Sequence, residues 1–283
     1  MQPASTYQRE WLAEIALDFE RRGDRTRLVK NRHLGPLRVP KPFYPERHGG
    51  CHVYVLHPPG GLVVGDQVNV SVTCRPHSNI LLTTPSAGKI YTARELPEPQ
   101  KQDVLLQVDE HACLEWLPQE TIVFSGGNAQ FTTKIERAEN SKLFAWDIMC
   151  LGRPAADEAF EAGRCFQSLE IYCGGVLQLL ERNRYIAGEK SMRAAWGCRG
   201  ATTLGTLVTT TIVSRDCQDS LYEELAKFGS LHLWGLTQRD EFFIARYIGN
   251  SGEICRAGFE LVWRTLRPEF NQQQACEPRI WRT

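Results

Sequence analysis

Hydrophobic and polar residues alternate with a period of two along most of this chain of 283 residues. In DQVNVSVTC (66–74), Val68, Val70 and Val72 point to one face of a strand, and the polar residues between them point to the other. Similar short segments, rich in β-branched and aromatic residues, run from CHVYVLH through GVLQLLE and EFFIARYI to FELVWRTL. Turn-forming stretches such as HPPGG, SGGN and IGNSG separate them. The pattern predicts a mainly-β protein of many short strands.

The N-terminal segment WLAEIALDFE fits two periods. Ile15, Leu17 and Phe19 alternate with other residues as on a strand, whereas Trp11, Ile15 and Phe19 also have helical spacing. We favour a strand here.

Two short helices are predicted among the strands. PAADEAFEAGR (154–164) begins with Pro154, which suits a first helical turn. SLYEELAKFG (220–229) has an apolar stripe, with Ser220 as a cap and Gly229 as a terminator. Because no linker or internal repeat interrupts the chain, we expect one domain over residues 1–283.

Charge and composition narrow the function classes. The 33 basic and 33 acidic side chains balance, which gives no support for binding nucleic acid or an anionic membrane. No apolar run approaches the roughly 18 residues of a membrane span, and acids interrupt the N-terminal region where a signal peptide would lie. The ten cysteines form no CxxC or CxC pair, so we expect reduced thiols and a cytoplasmic protein.

The stretch HPPGGLVVGD (57–66) resembles a phosphate-binding loop only superficially. A Walker loop needs GxxxxGK followed by Ser or Thr, but Gly88-Lys89 precedes Ile90, and the three glycines of 60–65 do not make GxGxxG. A Pro-Gly turn between two strands explains the stretch better. That turn places Asp66 at the start of the next strand.

Other motifs of catalysis or tight metal binding are also missing from the sequence. It contains no HExxH, no zinc-finger spacing and no GxSxG, and Ser86 has no evident local base. His52 and His57 differ by an odd number, so one strand would place them on opposite faces unless a turn intervenes. A transient site for nickel built from scattered Asp, Glu or His side chains stays open.

Three acids next to apolar runs are the remaining candidates. Asp66 follows GGLVVG, Asp147 lies in FAWDIMCL and Glu181 ends VLQLLE. A buried carboxylate must be paired, protonated or bound to something. One interpretation is a structural ion pair with Arg182 or Arg184, and the other is a cation relay through the β-core.

Five blocks in matching order resemble one known family, that of the urease accessory protein UreD, also called UreH. The resemblance runs from about residue 10 to the end of the chain's second half and is looser past residue 190. The blocks are GPLRVPKPFYPE (35–46), CHVYVLHPPGGLVVGD (51–66), LLTTPSAGKIY (81–91), LEWLPQETIVFSGG (114–127) and WDIMCLGRPAADEAFEAG (146–163).

The resemblance implies a fold and a role. The fold would be mainly β, with strands in a two-layered, β-helix-like stack and about two short α-helices. The protein would be a non-catalytic scaffold that binds urease apoprotein and UreF, and through UreF the nickel-carrying GTPase UreG. No cofactor would be tightly bound, and Ni²⁺ would pass transiently to the urease active site.

The resemblance also assigns site residues. Asp66, Ser86, Asp147 and Glu181 match family positions linked to an interior nickel path, and no catalytic residue is assigned. We therefore expect the three acids to be mostly buried along a connected, water-filled channel.

Two alternatives remain at this stage. One is a hydrolase or lyase on a β-helical scaffold, using a carboxylate pair drawn from Glu115, Glu120, Asp147 and Glu181. The other is an adaptor without metal contact.

Overall fold

Strands form two sheets in the structure, a computed structural model that describes residues 11–93 and 98–282. The first sheet has seven strands, in the order β13 (Val176–Ile186), β12 (Arg164–Cys173), β10 (Asn128–Arg137), β7 (Gln100–Val108), β4 (Asp66–Cys74), β1 (Trp11–Arg22) and β2 (Arg25–Leu34).

The second sheet has nine strands. Seven follow the order β15 (Trp234–Arg239), β16 (Phe242–Gly249), β14 (Thr203–Thr209), β11 (Lys142–Leu151), β8 (Cys113–Leu117), β5 (Asn79–Thr83) and β3 (Cys51–Tyr54), and the pair β6 (Gly88–Ile90) and β9 (Thr121–Val123) joins through β11.

The chain winds between the two sheets. It passes from β4 to β5, from β7 to β8 and from β10 to β11, each time leaving the first sheet for the second. Within each sheet, the successive strands that this winding places side by side are parallel to each other. In the turns 75–78, 109–112 and 138–141, the amide of the fourth residue donates to the carbonyl of the first. This winding confirms the predicted mainly-β, two-layered, β-helix-like stack.

Alternation along the strands builds two separate cores. On β11, Ala145 and Met149 pack between the sheets, whereas Phe144 and Trp146 pack on the other face of the second sheet. The helices α2 (Arg215–Leu225) and α3 (Gly252–Asn271) cover that face. We call these two layers the inter-sheet core and the helix-side core.

The remaining regular structure is short. It consists of α1 (Lys190–Arg193) and 3₁₀ turns at Pro154–Ala156, Ala226–Phe228, Leu231–Leu233 and Arg279–Arg282. Among residues 11–93 and 98–282, no helix is long and apolar enough to cross a membrane.

The N-terminal segment is a strand, as predicted, since Trp11–Arg22 forms β1.

All ten cysteines, each within the described residues, are free thiols, as expected. The helix predicted at 220–229 is confirmed in type, but it begins at Arg215 and its cap is Ser214, whose hydroxyl accepts from the Cys217 amide. Residues 1–10, 94–97 and 283 of the predicted single domain lie outside the described residues. LPEPQ (96–100), another stretch whose composition predicts a turn, lies partly outside them as well.

Two element predictions are wrong. In 154–164 helical structure stops after one 3₁₀ turn, because Asp157 adopts a left-handed conformation and Arg153 and Glu158 form a β-bridge. FELVWRTL is not a strand but part of α3. Its buried residues Phe259, Val262, Trp263 and Leu266 recur at spacings of three and four, which is the helical period.

Candidate functional site

Two of the predicted acids lie in the inter-sheet core. Asp147 is on β11 between Ala145 and Met149, which both face the first sheet. Glu181 is on β13, two residues from the buried Leu179. Because each strand alternates, an acid at these positions is directed toward the opposite sheet. The fold thus brings together two carboxylates from β11 and β13, which β12 separates in the sequence.

Hydroxyl, amide and guanidinium groups surround the Glu181 carboxylate. Its Oε1 accepts a hydrogen bond from the Thr206 hydroxyl at 2.7 Å and another from the Asn183 side-chain amide at 3.2 Å. Its Oε2 accepts from Nη2 of Arg246 at 2.7 Å. The sequence suggested Arg182 or Arg184 as ionic partners, but these pair with Glu170 and Glu189 instead.

Asp147 has a different environment from Glu181. Asp147 is half-buried and borders the cavities described below. Burial raises the pKa of Asp147 from 3.8 to about 6, with a smaller rise from the charge of Glu181 and an opposing hydrogen bond from Gln167. Asp147 therefore holds its proton more tightly than an exposed aspartate does.

Both acids line two adjoining cavities. The narrow cavity, about 20 Å³ in volume, is bordered by Asp147, Glu181, Gln167, Thr206 and Trp116 among others. A space of this size holds one water-sized particle. The wide cavity, about 510 Å³, shares the first four of these residues and extends outward to Arg199, His232 and Arg246.

A third cavity also borders Trp116. This loop cavity, about 330 Å³, is bordered by Trp116 together with His57, Ser86, Val68 and Gln119. Trp116 is buried and belongs to both the narrow and the loop cavity. The narrow cavity thus shares Asp147 and Glu181 with the wide cavity, and it shares Trp116 with the loop cavity. A continuous channel stays a prediction.

Asp66 lies at the start of β4, as the Pro-Gly turn predicted, and it is buried, with 5% of its surface exposed. Its Oδ2 accepts from the Val63 amide at 2.9 Å, and its own amide donates to the Val63 carbonyl at 3.0 Å. Asp66 therefore closes the turn that precedes its strand. It also acts on His57, since burial lowers the pKa of His57 and the Asp66 charge partly offsets that effect.

Ser86 is exposed and borders the loop cavity. The structure thus places the four predicted residues at two locations: Asp147 and Glu181 meet between the sheets, and Ser86 borders the loop cavity near Asp66 and His57. From the sequence, His57 was not expected to converge with His52, because residues an odd number apart on one strand face opposite sides. His57 lies after the end of β3, in the turn, so strand parity does not apply to it.

Sequence reasoning missed Arg246, Thr206 and Gln167. Residues of these types occur throughout the chain, so no local signal distinguishes them. Within the described part of the chain, no group of three or more His, Cys, Asp and Glu side chains is placed to hold a metal ion.

A buried ionic network occupies the helix-side core. Arg267 of α3 donates to Glu115 of β8 at 2.9 Å and to Glu46 at 2.7 Å. Glu115 also accepts from the indole of Trp263, and Glu46 contacts His52. Burial alone would raise the pKa of Glu46, but the hydrogen bonds from His52 and Arg267 lower it to about 2. Glu115, considered for a hydrolytic pair, therefore faces α3 and not Asp147.

Comparisons with known proteins agree over nearly the whole chain. The family model described as UreD urease accessory protein matches residues 12–282. The urease accessory protein UreD of Saccharophagus degradans is 46% identical over 283 residues, covering 99% of this chain and 95% of that protein. The proteins of the same name from Dechloromonas aromatica and Marinobacter nauticus are 41% and 39% identical, covering 96% and 98% of this chain and 95% and 94% of their own lengths.

Proposed function

Because the chain belongs to the UreD family of urease accessory proteins, we propose that it is a non-enzymatic assembly factor through which Ni²⁺ passes to urease. In this proposal it binds urease apoprotein and UreF, and UreF brings the GTPase UreG. Nickel is a cargo here and not a resident cofactor. The compartment would be the cytoplasm.

The observation that carries the proposal is the pair Asp147 and Glu181 beside the narrow cavity. A cavity of about 20 Å³ accepts one small particle, and its walls include two carboxylates, the Gln167 amide and the Thr206 hydroxyl. Nickel accepts oxygen ligands, but imidazole and thiolate bind it more tightly. An oxygen-only set therefore supports passage of the metal over storage.

The loop cavity supplies the second part of the proposed path. Ser86 and His57 border it, and Asp66 at the start of β4 acts through its charge on His57. A metal ion moving between the loop cavity and the narrow cavity has to pass the indole of Trp116. In this proposal the side chain of Trp116 changes rotamer during transfer.

The test uses cells that produce this chain with urease and the other accessory proteins. Asp147→Asn and Glu181→Gln keep the side-chain shape and remove the charge. We expect nickel per purified urease to fall severalfold, since loss of even one outer partner of a metal typically costs about 10–100-fold in affinity. Co-purification of the chain with its partners should remain intact.

Glu170→Gln is the matched control, because Glu170 bonds to Ser168, Tyr172 and Arg182 and does not border the three cavities described above. We expect it to leave urease nickel unchanged. Normal nickel content in Asp147→Asn and Glu181→Gln, together with intact complexes, would instead support an adaptor without metal contact.

A further inference from the structure

Arg246 reaches the carboxylate pair from across the second sheet. The strand register pairs Asp147 with Thr206 and Thr206 with Arg246, so the three residues lie in one row across β11, β14 and β16. Ile244, two residues before Arg246, packs in the inter-sheet core. The same face of β16 therefore directs the guanidinium of Arg246 toward Glu181, 65 residues away in sequence.

The Arg246 guanidinium uses the carboxylate oxygen that a metal ion would use. Oε1 of Glu181 already accepts from Thr206 and Asn183, and Oε2 is bonded to Arg246. A divalent cation that binds Glu181 through Oε2 must displace the guanidinium, because two cations cannot share that oxygen without strong repulsion.

There is also space into which the Arg246 side chain can move. Its side chain is 49% exposed, whereas that of Glu181 is 16% exposed. The wide cavity of about 510 Å³ adjoins the ion pair, and Arg246 is one of its walls. The guanidinium can therefore rotate into this space and remain hydrated while the carboxylate stays in place.

We propose that Arg246 is a displaceable counter-cation that neutralises the Asp147–Glu181 pair when no metal is bound and competes with a divalent cation for it. This inference rests on the proposed function, because the cation concerned is the Ni²⁺ of the proposed path. Competition from a tethered charge weakens binding and speeds release. The carboxylate pair thereby transfers the metal instead of retaining it.

The test measures Ni²⁺ binding to the purified full chain by isothermal titration calorimetry. Arg246→Gln removes the competing charge, and we expect Ni²⁺ to bind about tenfold more tightly or better, as one opposite charge at this distance typically shifts the proton affinity of a carboxylate by about 1–3 pKa units. Arg246→Lys keeps a charge without the planar fork, and we expect an affinity between those of Arg246→Gln and the native chain.

Glu181→Gln and the double variant Arg246→Gln/Glu181→Gln complete the set. We expect Glu181→Gln to lower the affinity for Ni²⁺. We expect the double variant to lack the increase in affinity that Arg246→Gln produces alone. Thermal melts by circular dichroism check folding, and we expect small shifts because partly exposed ion pairs contribute little. A merely structural ion pair would leave the Ni²⁺ affinity of Arg246→Gln unchanged.

The outcomes separate the two proposals. If Glu181→Gln weakens binding but Arg246→Gln does not strengthen it, the role of Arg246 is refuted and the nickel path survives. If neither variant changes Ni²⁺ affinity, both proposals are refuted. In cells, Arg246→Gln should leave more nickel on this chain and less on urease than the native chain does. The same nickel distribution in Arg246→Gln and in the native chain would contradict the role of Arg246 in release.

Discussion

Asp147 lowers the stability of the fold at neutral pH. Burial between the sheets raises its pKa from 3.8 to about 6. The folded protein therefore binds this proton more tightly than the unfolded chain does. The free energy of unfolding then falls as the pH rises between these two values, since the charged form is less favourable in the folded state. A residue with this cost is consistent with a function that needs a charge between the sheets.

Asp147→Asn should accordingly stabilise the protein at pH 7.5. Each pKa unit corresponds to about 1.4 kcal/mol, and after allowance for the part of the residue that borders the cavities we expect a gain of about 1–2 kcal/mol. The gain should disappear near pH 4, where the native carboxyl group is protonated. Urea denaturation at both pH values measures this difference.

Glu170→Gln serves as the opposite case. Hydrogen bonds, first from Tyr172 and then from Ser168 and Arg182, lower the pKa of Glu170 despite partial burial. The charged form of Glu170 therefore favours the folded state, so its replacement should not stabilise the protein at pH 7.5. A gain in Glu170→Gln equal to that in Asp147→Asn would contradict this account of Asp147.

The helix α3 is the element that sequence reasoning assigned wrongly, and it organises the helix-side core. Its buried residues pack against Trp146 and Trp281, and Trp234 lies 6.1 Å from Phe259 between ring centroids. Arg267 on the same helix connects β8 with Glu46 through buried ion pairs. Removal of one partner would leave a buried charge unpaired, which is far more costly than loss of an exposed pair.

Gly258 in α3 permits the close approach of Trp234. A Cβ at this position would lie 2.1 Å from the Trp234 ring, which also packs against Tyr247. Gly258→Ala should therefore destabilise the protein by about 1–3 kcal/mol through overpacking, although alanine favours a helix over glycine by about 1 kcal/mol. Urea denaturation monitored by tryptophan fluorescence measures the loss.

Thr265→Ala is the matched control in the same helix, since Thr265 is exposed. It gains helix propensity without a clash, so we expect a stability equal to or slightly above that of the native chain. If Gly258→Ala also gains stability, the packing of Trp234 against α3 is looser than the structure indicates.

The two cores of the molecule differ in what they contain. The pair Asp147–Glu181 lies between the two sheets and borders the narrow and the wide cavity. The helix-side core instead contains interlocking aromatic rings, such as Trp263 against Trp281 at 5.6 Å between centroids. The inter-sheet core is also rich in buried apolar residues, so its polar pair occupies one part of a core that is otherwise hydrophobic.

Ala145→Val tests whether the narrow cavity lies on the path. Ala145 is buried and borders that cavity of about 20 Å³, so two added methyl groups fill it while both acids remain. We expect nickel per purified urease to fall, with a loss of stability of about 1 kcal/mol from overpacking. Nickel content of urease co-produced with the variant is the measurement.

Ala155→Val is the same substitution at an exposed position in the 3₁₀ turn, and we expect no change in urease nickel. Normal nickel content in Ala145→Val would show that the metal does not pass between Asp147 and Trp116.

The sequence alone determined the strands and the faces of single strands. The valines of DQVNVSVTC alternate, and the structure buries them together with Asp66 on one face of β4. This works because the period of two is a local property of the backbone. The period also misled where it was short: FELVWRTL contains β-favouring residues, but the spacing of Phe259, Val262 and Trp263 is helical.

Only the tertiary structure decided which acids meet and what neutralises them. Asp147 and Glu181 come together because the chain winds between two sheets that then face each other. Arg246 reaches Glu181 because the register of β16, β14 and β11 aligns it with Asp147. Such contacts depend on strand order and on the facing of the sheets, and residues far apart in sequence carry no local pattern of either. The sequence therefore determined which acids could be buried, and the packing of the sheets determined which of them share a cavity.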